Sequence, residues 1–286
     1  MKEDQDLEKI LKDIAGEHSI IVNQWEAIGG GDICEVFLIT APKKDKYILK
    51  LIDAAGIPDM FPREMNSLKA LKETGCIDIP EPLASGEFGN HSYLLLEHRP
   101  EGKAKVDFWE KFGEQLACLH QNSNKEFGFF EDNYIGSLLQ RNTWTRQAPD
   151  FYINQRLKPQ LELAEHYELN ISEDFLENIA ENIPDEAPSL IHGDLWNGNF
   201  LINAEGAPCL FDPAVAYAPR EMDLAMMKLF GGFDRKLFDA YNEHLPLERG
   251  FEDRLPLWQL YYLLVHLNIF GKGYRNQVVN IIKKYN

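Results

Sequence analysis

Five residues within one short stretch of the sequence could do chemistry together: His192, Gly193, Asp194, Asn199 and Asp212. Asp194 follows a short apolar run and lies in a polar turn that contains a glycine, so its carboxylate need not be buried by a helix. Asn199 comes five residues later, and Asp212 ends the next extended run, eighteen residues beyond Asp194. The segment between Asn199 and Asp212 has the pattern of a hairpin, which would bring the two residues side by side.

The types of these residues suit the transfer of a phosphoryl group. Mg²⁺ takes oxygen ligands and keeps several waters, so the carboxylate of Asp212 and the amide oxygen of Asn199 would suffice beside nucleotide phosphates. A second carboxylate must accept or orient the hydroxyl proton of the acceptor, and Asp194 fits that role. The D-x-x-x-x-N spacing from Asp194 to Asn199 is also that of a kinase catalytic loop. The stretch therefore predicts phosphoryl transfer that depends on ATP and Mg²⁺.

The N-terminal part of the chain offers groups that would bind nucleotide phosphates. Lys50 lies between apolar residues of a predicted strand, where it needs an anionic partner, and Glu64 of the following predicted helix could be that partner. Gly29, Gly30 and Gly31 lie between two predicted strands, where their backbone amides could close on the phosphates. The alternatives are a plain turn for the glycines and a surface ion pair for Lys50 with Glu64. The order of all these groups along the chain favours nucleotide binding.

Two regions with different patterns would position these residues. Residues 1–97 begin with a helical pattern, which is followed by apolar, strand-like runs. Turns that contain glycine separate these runs, and a second helical pattern is inserted after the third run. From residue 98 to 286, helical patterns dominate, and only three short runs near the polar stretch look extended. The sequence therefore predicts an α+β chain with two lobes. The N-terminal lobe contains a five-stranded antiparallel sheet and a helix, and the C-terminal lobe is mainly helical.

The composition limits the classes of partner. Of the 286 residues 46 are acidic and 29 basic, which gives a formal charge of −17. A surface this acidic repels phosphate backbones and anionic lipid, which argues against nucleic acid and membrane as partners. The charged N-terminus lacks the apolar core of a signal peptide. The four cysteines stand far apart in the sequence, which argues against a disulfide framework or a zinc site and fits a reducing cytoplasm.

The sequence closely resembles the fructosamine kinase (ketosamine-3-kinase) family. The resemblance is carried by HGDLWNGN at 192–199, by FDPAVAY and REMDLAMMKLFGGF after it, and by NTW and FYINQRLKPQL before it, so that it extends over about residues 17–284. HGDLxxxN alone would indicate only a wider fold, whereas Trp196, the GN that follows it and LFGGF make the match specific. The family is a branch of the aminoglycoside phosphotransferase and choline kinase fold, so the resemblance implies a bilobal, protein-kinase-like structure.

The resemblance also implies an activity and roles for residues. The activity is ATP-dependent phosphorylation at the sugar O3 of ketoamines, the adducts of sugars on amines and protein lysines, and it amounts to deglycation repair. By position, Asp194 resembles the catalytic base, Asn199 and Asp212 the magnesium ligands, and Lys50 with Glu64 the phosphate-binding pair.

Two further parts of the site follow from the same resemblance. The segment Glu97-His98-Arg99 resembles the hinge that hydrogen-bonds adenine through its backbone. Trp196 resembles a residue on the substrate side, where an indole face could stack on a sugar or a secondary ammonium, an interaction of about 0.5–2 kcal/mol. The alternative for Trp196 is that its side chain belongs to the core.

Other functions stay open at this point. Another small-molecule kinase of the same fold could act on choline, an aminoglycoside or a sugar, and Trp196-Asn197-Gly198 with LFGGF is the feature that favours ketoamines. A non-catalytic nucleotide-binding protein would be expected to lack some of the polar groups, and all are present. A hydrolase built on His192 and Asp194 is disfavoured because no G-x-S-x-G elbow occurs. The ketose, the amine and the oligomeric state do not follow from the sequence.

Two lesser candidates are an aspartate that could support the site and a cysteine near the glycines. Asp223, in REMDLAMM, could hydrogen-bond the backbone near the catalytic loop and stiffen it. Cys34 follows the glycines, and an inert small residue is the favoured interpretation over a redox-sensitive one.

Overall fold

The computed structural model describes residues 2–30 and 33–286. Its largest sheet has five antiparallel strands in the order β1-β2-β3-β5-β4. The strands are β1 (Gln24–Gly30), β2 (Glu35–Thr40), β3 (Lys46–Asp53), β4 (Pro82–Phe88) and β5 (His91–Glu97). The sheet and the mainly helical remainder confirm the predicted fold class.

Two helices cover the two faces of this sheet, and the alternation of side chains along the strands determines which residue meets which helix. Helix α1 (Lys2–Glu17) packs against Tyr93 and Leu95 of β5, whereas α2 (Met60–Glu73) packs against Leu94 and Leu96. Successive residues of a strand point to opposite faces, so β3 likewise directs Leu49 and Leu51 toward α1. Lys50, between them, therefore faces α2.

The rest of the chain is helical apart from three two-stranded sheets, β6-β7, β8-β11 and β9-β10. Its strands are β6 (Asn133–Ile135), β7 (Leu138–Gln140), β8 (Ser189–Ile191), β9 (Phe200–Ile202), β10 (Pro208–Leu210) and β11 (Ala216–Ala218). Its helices are α3 (Phe108–His120), α4 (Ala148–Phe151), α5 (Lys158–Leu163), α6 (Phe175–Glu181), α7 (Glu221–Phe230), α8 (Arg235–His244), α9 (Phe251–Phe270) and α10 (Arg275–Tyr285), with a π-helical turn at Tyr152–Leu157.

Helix α9 forms the centre of the largest cluster of buried side chains. It is apolar on nearly all sides, and Trp258, Tyr262 and Leu264 are among its fully buried residues. A helix of this kind is stable only when other elements surround it, and α7, α5 and α10 pack against it here. No helix in the described part of the chain is long and apolar enough to cross a lipid bilayer.

The structure corrects one expectation about the cysteines. Cys76 and Cys118 form a disulfide, with 5.6 Å between their Cα atoms. It joins the loop after α2 to helix α3, two elements whose cysteines are 42 positions apart and whose contact is not apparent from the sequence. A link that closes a loop of this size contributes about 2–4 kcal/mol to the free energy of unfolding. Cys34 and Cys209 are free thiols, and Cys209 is buried.

Candidate active site

The polar stretch folds as a turn followed by a hairpin. Strand β8 ends at Ile191, the turn that holds Asp194 follows, and β9 and β10 then pair antiparallel. The amide of Phe211 donates to the carbonyl oxygen of Asn199 (3.1 Å), which places Asp212 next to Asn199. The predicted hairpin is therefore present, and it brings Asp194, Asn199 and Asp212 to one cavity.

Asp194 lines this cavity, which has a volume of about 220 Å³. The side-chain amide nitrogen of Asn199, Nδ2, donates to the carbonyl oxygen of Asp194 (2.8 Å) and to Asp194 Oδ2 (3.1 Å). Burial and the charge of Asp212 raise the pKa of Asp194 to about 7. A carboxylate with a pKa near neutral pH can take a proton from a hydroxyl and return it, which is what a general base requires.

Lys50 joins the two parts of the site. Its Nζ donates to Glu64 Oε1 (2.6 Å) on α2 and to Asp212 Oδ1 (2.7 Å) after the hairpin. Only 5% of Lys50 is exposed, so this is a buried ion pair and not a surface one. Burial alone would lower the pKa of Lys50, but the charges of Asp212 and Glu64 raise it above its ordinary value, so the ammonium stays charged.

The donor atoms in the cavity fit a magnesium ion. The amide nitrogen of Asn199 is engaged with Asp194, which leaves its amide oxygen for a metal, and the carboxylate of Asp212 is partly exposed. Within residues 2–30 and 33–286 no group of three His, Cys, Asp or Glu side chains could hold a metal. One carboxylate and one amide suit an ion that also takes phosphate oxygens and waters, as Mg²⁺ does.

A buried aspartate of α7 holds the backbone of the turn through hydrogen bonds. Asp223 of α7 accepts hydrogen bonds from the amides of His192 (2.7 Å, to Oδ2) and Gly193 (2.8 Å, to Oδ1). It also accepts one from His120 Nε2 (3.2 Å), whose other ring nitrogen bonds Tyr241 Oη (2.8 Å). The predicted contact of Asp223 with the backbone near the catalytic loop is confirmed.

Trp196 faces the same cavity as Asp194 and is 40% exposed, so the alternative of a core residue is wrong. Gly198 makes room for its indole, because a Cβ at Gly198 would lie 2.3 Å from Trp196 Cη2. A Cβ at Gly232 would lie 2.6 Å from Asn197 Cβ. The two sequence motifs WNGN and LFGGF are thus packed against each other beside the cavity.

The structure also adds residues to the cavity that the sequence analysis missed. They come from the β6-β7 hairpin and from the end of α9, and they are mainly apolar or aromatic: Asn133, Tyr134, Ile135, Gly136, Val265, His266, Ile269 and Phe270. The strands of this hairpin have three residues each, too few to show a period, and the end of α9 is apolar like the rest of that helix. Spacing in the sequence gave no signal for either.

The predicted glycine turn is described only up to Gly30. Gly29 and Gly30 end β1 opposite Val36 and Glu35 of β2, and Gly31 lies outside the described residues.

The predicted hinge, Glu97 to Arg99, begins at the last residue of β5. The backbone amide of Glu97 donates to the carbonyl oxygen of Glu81 (2.9 Å). The guanidinium of Arg99 forms ion pairs with the carboxylates of Glu97 and Asp78. The roles of Gly29 to Gly31 and of Glu97 to Arg99 toward ATP stay predictions.

The arrangement as a whole defines a class of protein. A strand lysine paired with a helix glutamate, an Asp-x-x-x-x-Asn loop and an aspartate after a hairpin are the parts that kinases of the protein-kinase-like fold use for phosphoryl transfer. The crystal structure of a macrolide 2'-phosphotransferase from Brachybacterium faecium has the same fold, with a TM-score of 0.61 at 15% identity over 95% of this chain and 97% of that one. This likeness shows that the chain has the protein-kinase-like fold.

Comparison with known proteins identifies the family. A model described as fructosamine kinase matches residues 4–286. A protein assigned as a ketoamine kinase in Enterococcus faecium is 35% identical over 98% of this chain and 100% of its own length. A structure assigned as a fructosamine-3-kinase from Haemophilus somnus gives a TM-score of 0.86 at 26% identity and covers 97% of both chains. The chain belongs to the fructosamine kinase family, which confirms the resemblance of its motifs.

Proposed function

We propose that this protein is an ATP-dependent ketoamine kinase that phosphorylates the O3 hydroxyl of the sugar part of its substrate and thereby starts deglycation. The observation that carries the proposal is Trp196, two residues from Asp194, whose exposed indole faces the same cavity. A chloroplastic protein-ribulosamine 3-kinase of Oryza sativa subsp. indica is 36% identical over 80% of this chain and 69% of its own length, which supports a ketoamine as the acceptor.

In this proposal each polar side chain that the sequence predicted for the cavity has one task. Asp194 accepts the proton of the O3 hydroxyl as that oxygen attacks the γ-phosphorus of ATP, whose bond to the β,γ-bridging oxygen breaks so that ADP leaves. Asp212 and Asn199 would hold Mg²⁺, which when bound would neutralise the charge of the phosphates. Lys50 contacts the α- and β-phosphates, and Glu64 keeps its ammonium in place (2.6 Å). Positioning and electrostatic stabilisation supply the remainder of the rate.

The other parts of the ATP site are proposed from their place in the fold. Gly29, Gly30 and Gly31 would let backbone amides approach the phosphates from the end of β1. The backbone of the segment from Glu97 to Arg99 would bind adenine. We also propose that this segment divides the chain into a nucleotide-binding lobe, residues 1–97, and a lobe that holds the acceptor, residues 98–286.

We further propose the cytoplasm as the compartment, because ATP is the phosphoryl donor and is maintained there. Thiols are kept reduced in most cytoplasms, so the Cys76–Cys118 disulfide is the feature that opposes this proposal.

An assay of ATP consumption with four acceptors tests the function. Ribulosyl-lysine, fructosyl-lysine, choline and kanamycin are supplied side by side to the purified protein with MgATP. We expect turnover with at least one of the two ketoamines and none above background with choline or kanamycin. Turnover of choline or kanamycin but of neither ketoamine would contradict the proposal.

The role of Trp196 gives a separate prediction. Replacing it with alanine is expected to raise KM for the ketoamine by about 3- to 30-fold, because a stacking contact worth about 0.5–2 kcal/mol is lost. KM for ATP should stay within about twofold, since Trp196 acts on the acceptor side only. Trp144→Ala is the matched control, because Trp144 is 39% exposed and lies outside the cavity lining. Steady-state kinetics with each substrate varied in turn measure both constants.

A second variant probes the same contact without removing the indole. In Gly198→Ala the new methyl group would lie 2.3 Å from the Trp196 ring, so the ring must turn away. We expect KM for the ketoamine to rise as it does in Trp196→Ala. An unchanged KM in both variants would remove Trp196 from the acceptor site.

A further inference from the structure

The backbone of Asp212 is in a strained conformation that other residues must maintain. Its φ angle is +56°, in the left-handed region that residues with a side chain rarely adopt. Such a residue costs of the order of 1–3 kcal/mol and persists only where the surroundings hold it. On its N-terminal side, Phe211 is held by two hydrogen bonds. Its backbone amide donates to the carbonyl oxygen of Asn199, and its carbonyl oxygen is hydrogen-bonded to His192 Nε2 (3.0 Å).

The C-terminal side of Asp212 is held by two buried amides of the β6-β7 hairpin. Asn133 Nδ2 donates to the carbonyl oxygen of Val215 (2.8 Å), and Gln140 Nε2 donates to that of Ala214 (3.0 Å). Gln140 Nε2 also donates to Asn133 Oδ1 (2.8 Å), so the two side chains support each other. Both are almost fully buried, with 2% and 3% of their surfaces exposed. Hydrogen bonds in such a place are costly to lose, because the groups left behind have no water to bond.

The same hairpin is bonded on its other side to helix α2, which carries Glu64. Arg63 Nη1 donates to the carbonyl oxygen of Asp132 (2.8 Å), and Asn66 Nδ2 donates to Glu131 Oε1 (2.8 Å). Tyr134 Oη donates to the carbonyl oxygen of Pro58, just before α2 (2.8 Å). The hairpin therefore contacts both structures that carry the carboxylate partners of Lys50.

The hairpin itself is fixed by a polar network that reaches into the helical part of the chain. Asn142 Nδ2 donates to Asn133 Oδ1 (3.0 Å), and Asn142 Oδ1 accepts from Arg156 Nη2 (2.7 Å). Arg156 is buried, and its guanidinium stacks over the ring of Phe151 at 4.4 Å. Tyr261 Oη of α9 donates to Gln140 Oε1 (2.8 Å). The motifs NTW and FYINQRL thus provide a rigid base for the hairpin rather than contacts with the reactants.

We propose that Asn133 is a positioning residue for phosphoryl transfer, which holds the segment of Asp212 in a fixed relation to the helix of Glu64. The inference rests on the proposed function, in which these two carboxylates serve the nucleotide. Asn133 borders the cavity, but its Nδ2 is bonded to Val215 and its Oδ1 accepts from Gln140 and Asn142. Its polar atoms are thus occupied inside the protein, so it acts through Asp212 and not on the acceptor.

Amide hydrogen exchange of the nucleotide-free protein tests the coupling directly. In Asn133→Ala we expect exchange to be at least about fivefold faster in the peptides that cover residues 211–217 and 58–73, as the loss of a hydrogen bond implies. Asn178→Ala is the matched control, because Asn178 also gives one side-chain bond to a carbonyl oxygen (Tyr285, 2.9 Å) but lies away from the cavity. Unchanged exchange of 211–217 in Asn133→Ala would overturn the proposal.

Nucleotide binding supplies a second readout. The affinity for ADP is measured by calorimetry, once with Mg²⁺ and once with EDTA. With Mg²⁺, we expect Asn133→Ala to bind ADP at least about fivefold more weakly than the wild type does. With EDTA, we expect the two affinities to agree within about twofold. Asn178→Ala should change neither affinity, and a loss of equal size with and without Mg²⁺ would overturn the link to Asp212. A wild-type protein that binds ADP equally with Mg²⁺ and EDTA would instead contradict the proposed role of Asp212, and hydrogen exchange would still decide the coupling.

A milder variant covers the case in which Asn133→Ala fails to fold. Tyr261→Phe removes only the hydroxyl that orients Gln140. We expect it to fold and to speed exchange in residues 211–217 relative to the wild type, with little effect in Asn178→Ala. Exchange equal to that of the wild type in this segment would count against the proposal.

Discussion

Replacing Asp194 with asparagine is expected to lower kcat by at least about 10²-fold and to leave the affinity for ATP within about threefold. The side chain keeps its shape but can no longer accept the proton of the acceptor hydroxyl. Lys50, Glu64 and Asp212, which face the nucleotide in the proposed site, are not altered. Pre-steady-state measurement of phosphoryl transfer, together with the equilibrium affinity for ATP, separates the two effects. A variant that loses ATP binding but keeps its rate of transfer would contradict the role proposed for Asp194.

The same substitution should not destabilise the protein, and this separates catalysis from folding. The pKa of Asp194 is raised to about 7 from 3.8, by burial first and by Asp212 second, so its ionised form is unfavourable in the folded state. Between these two values the folded protein holds a proton that the unfolded chain releases, so the stability of the wild type falls as the pH rises through this range. Asparagine carries no charge and avoids this loss.

The expected size of the difference gives a measurement. Without Mg²⁺, Asp194→Asn should be more stable than the wild type above pH 7, by an amount of the order of 1–4 kcal/mol, and the advantage should vanish toward pH 4. Urea unfolding followed from pH 4 to pH 8 measures the free energy of both proteins. An inactive variant that is also less stable at pH 8 would show that the lost activity reports a folding defect.

The polar residues of the site could be predicted because their order along the chain reflects local geometry. Asp194, Asn199 and Asp212 are joined by one turn and one hairpin, and both can be inferred from short-range patterns. Lys50 could be placed because successive side chains of a strand point to opposite faces of the sheet. A lysine between apolar residues of the strand needs an anionic partner, and the helix after the strand offers Glu64. The burial of its pair with Glu64 and its second bond to Asp212, 162 residues away, depend on the packing of the whole chain.

The missed features share one physical cause, which is contact between elements that are distant in sequence. The β6-β7 hairpin has strands of three residues, and the hydrogen bonds between residues 131–134 and residues 58–66 join positions 65 to 76 apart in the sequence. The Cys76–Cys118 disulfide likewise depends on where α3 passes the end of α2. Asn133 and Gln140 resemble ordinary loop polar residues until the carbonyl groups that they bond are known. Sequence spacing carries information about neighbours along one element, and these contacts are not of that kind.

Gly193 is the residue of the turn that tolerates least change, and its replacement is the second large effect that we expect. Gly193 has a φ angle of +83°, and an added Cβ would lie 1.9 Å from the carbonyl oxygen of Ala214. The obstacle is backbone, so no side chain can move to relieve it. Neither can the turn move easily, because the amides of His192 and Gly193 are both bonded to Asp223, which is fully buried.

Gly193→Ala is therefore expected to lower the free energy of unfolding by about 2–5 kcal/mol, as backbone strain and overpacking add. Where the variant still folds, kcat should fall at least about 10²-fold, because the clash displaces Asp194 from the segment of Asp212. Two other glycines separate the causes. Gly75→Ala adds a side chain at a φ angle of +65° with nothing within 4 Å, and Gly16→Ala adds one in open space without such an angle. Urea unfolding and kcat are measured for all three.

The comparison of the three variants decides what the glycine in the turn is for. Gly16→Ala should be neutral or slightly stabilising, since alanine favours a helix by up to about 1 kcal/mol. Gly75→Ala should lose about 1 kcal/mol of stability and keep its kcat, because strain alone acts there, far from Asp194. If Gly193→Ala lost no more than Gly75→Ala, then left-handed backbone would be the only requirement at residue 193. A larger loss with a collapse of kcat would show that the close approach of residues 193 and 214 is what fixes Asp194 beside Asp212.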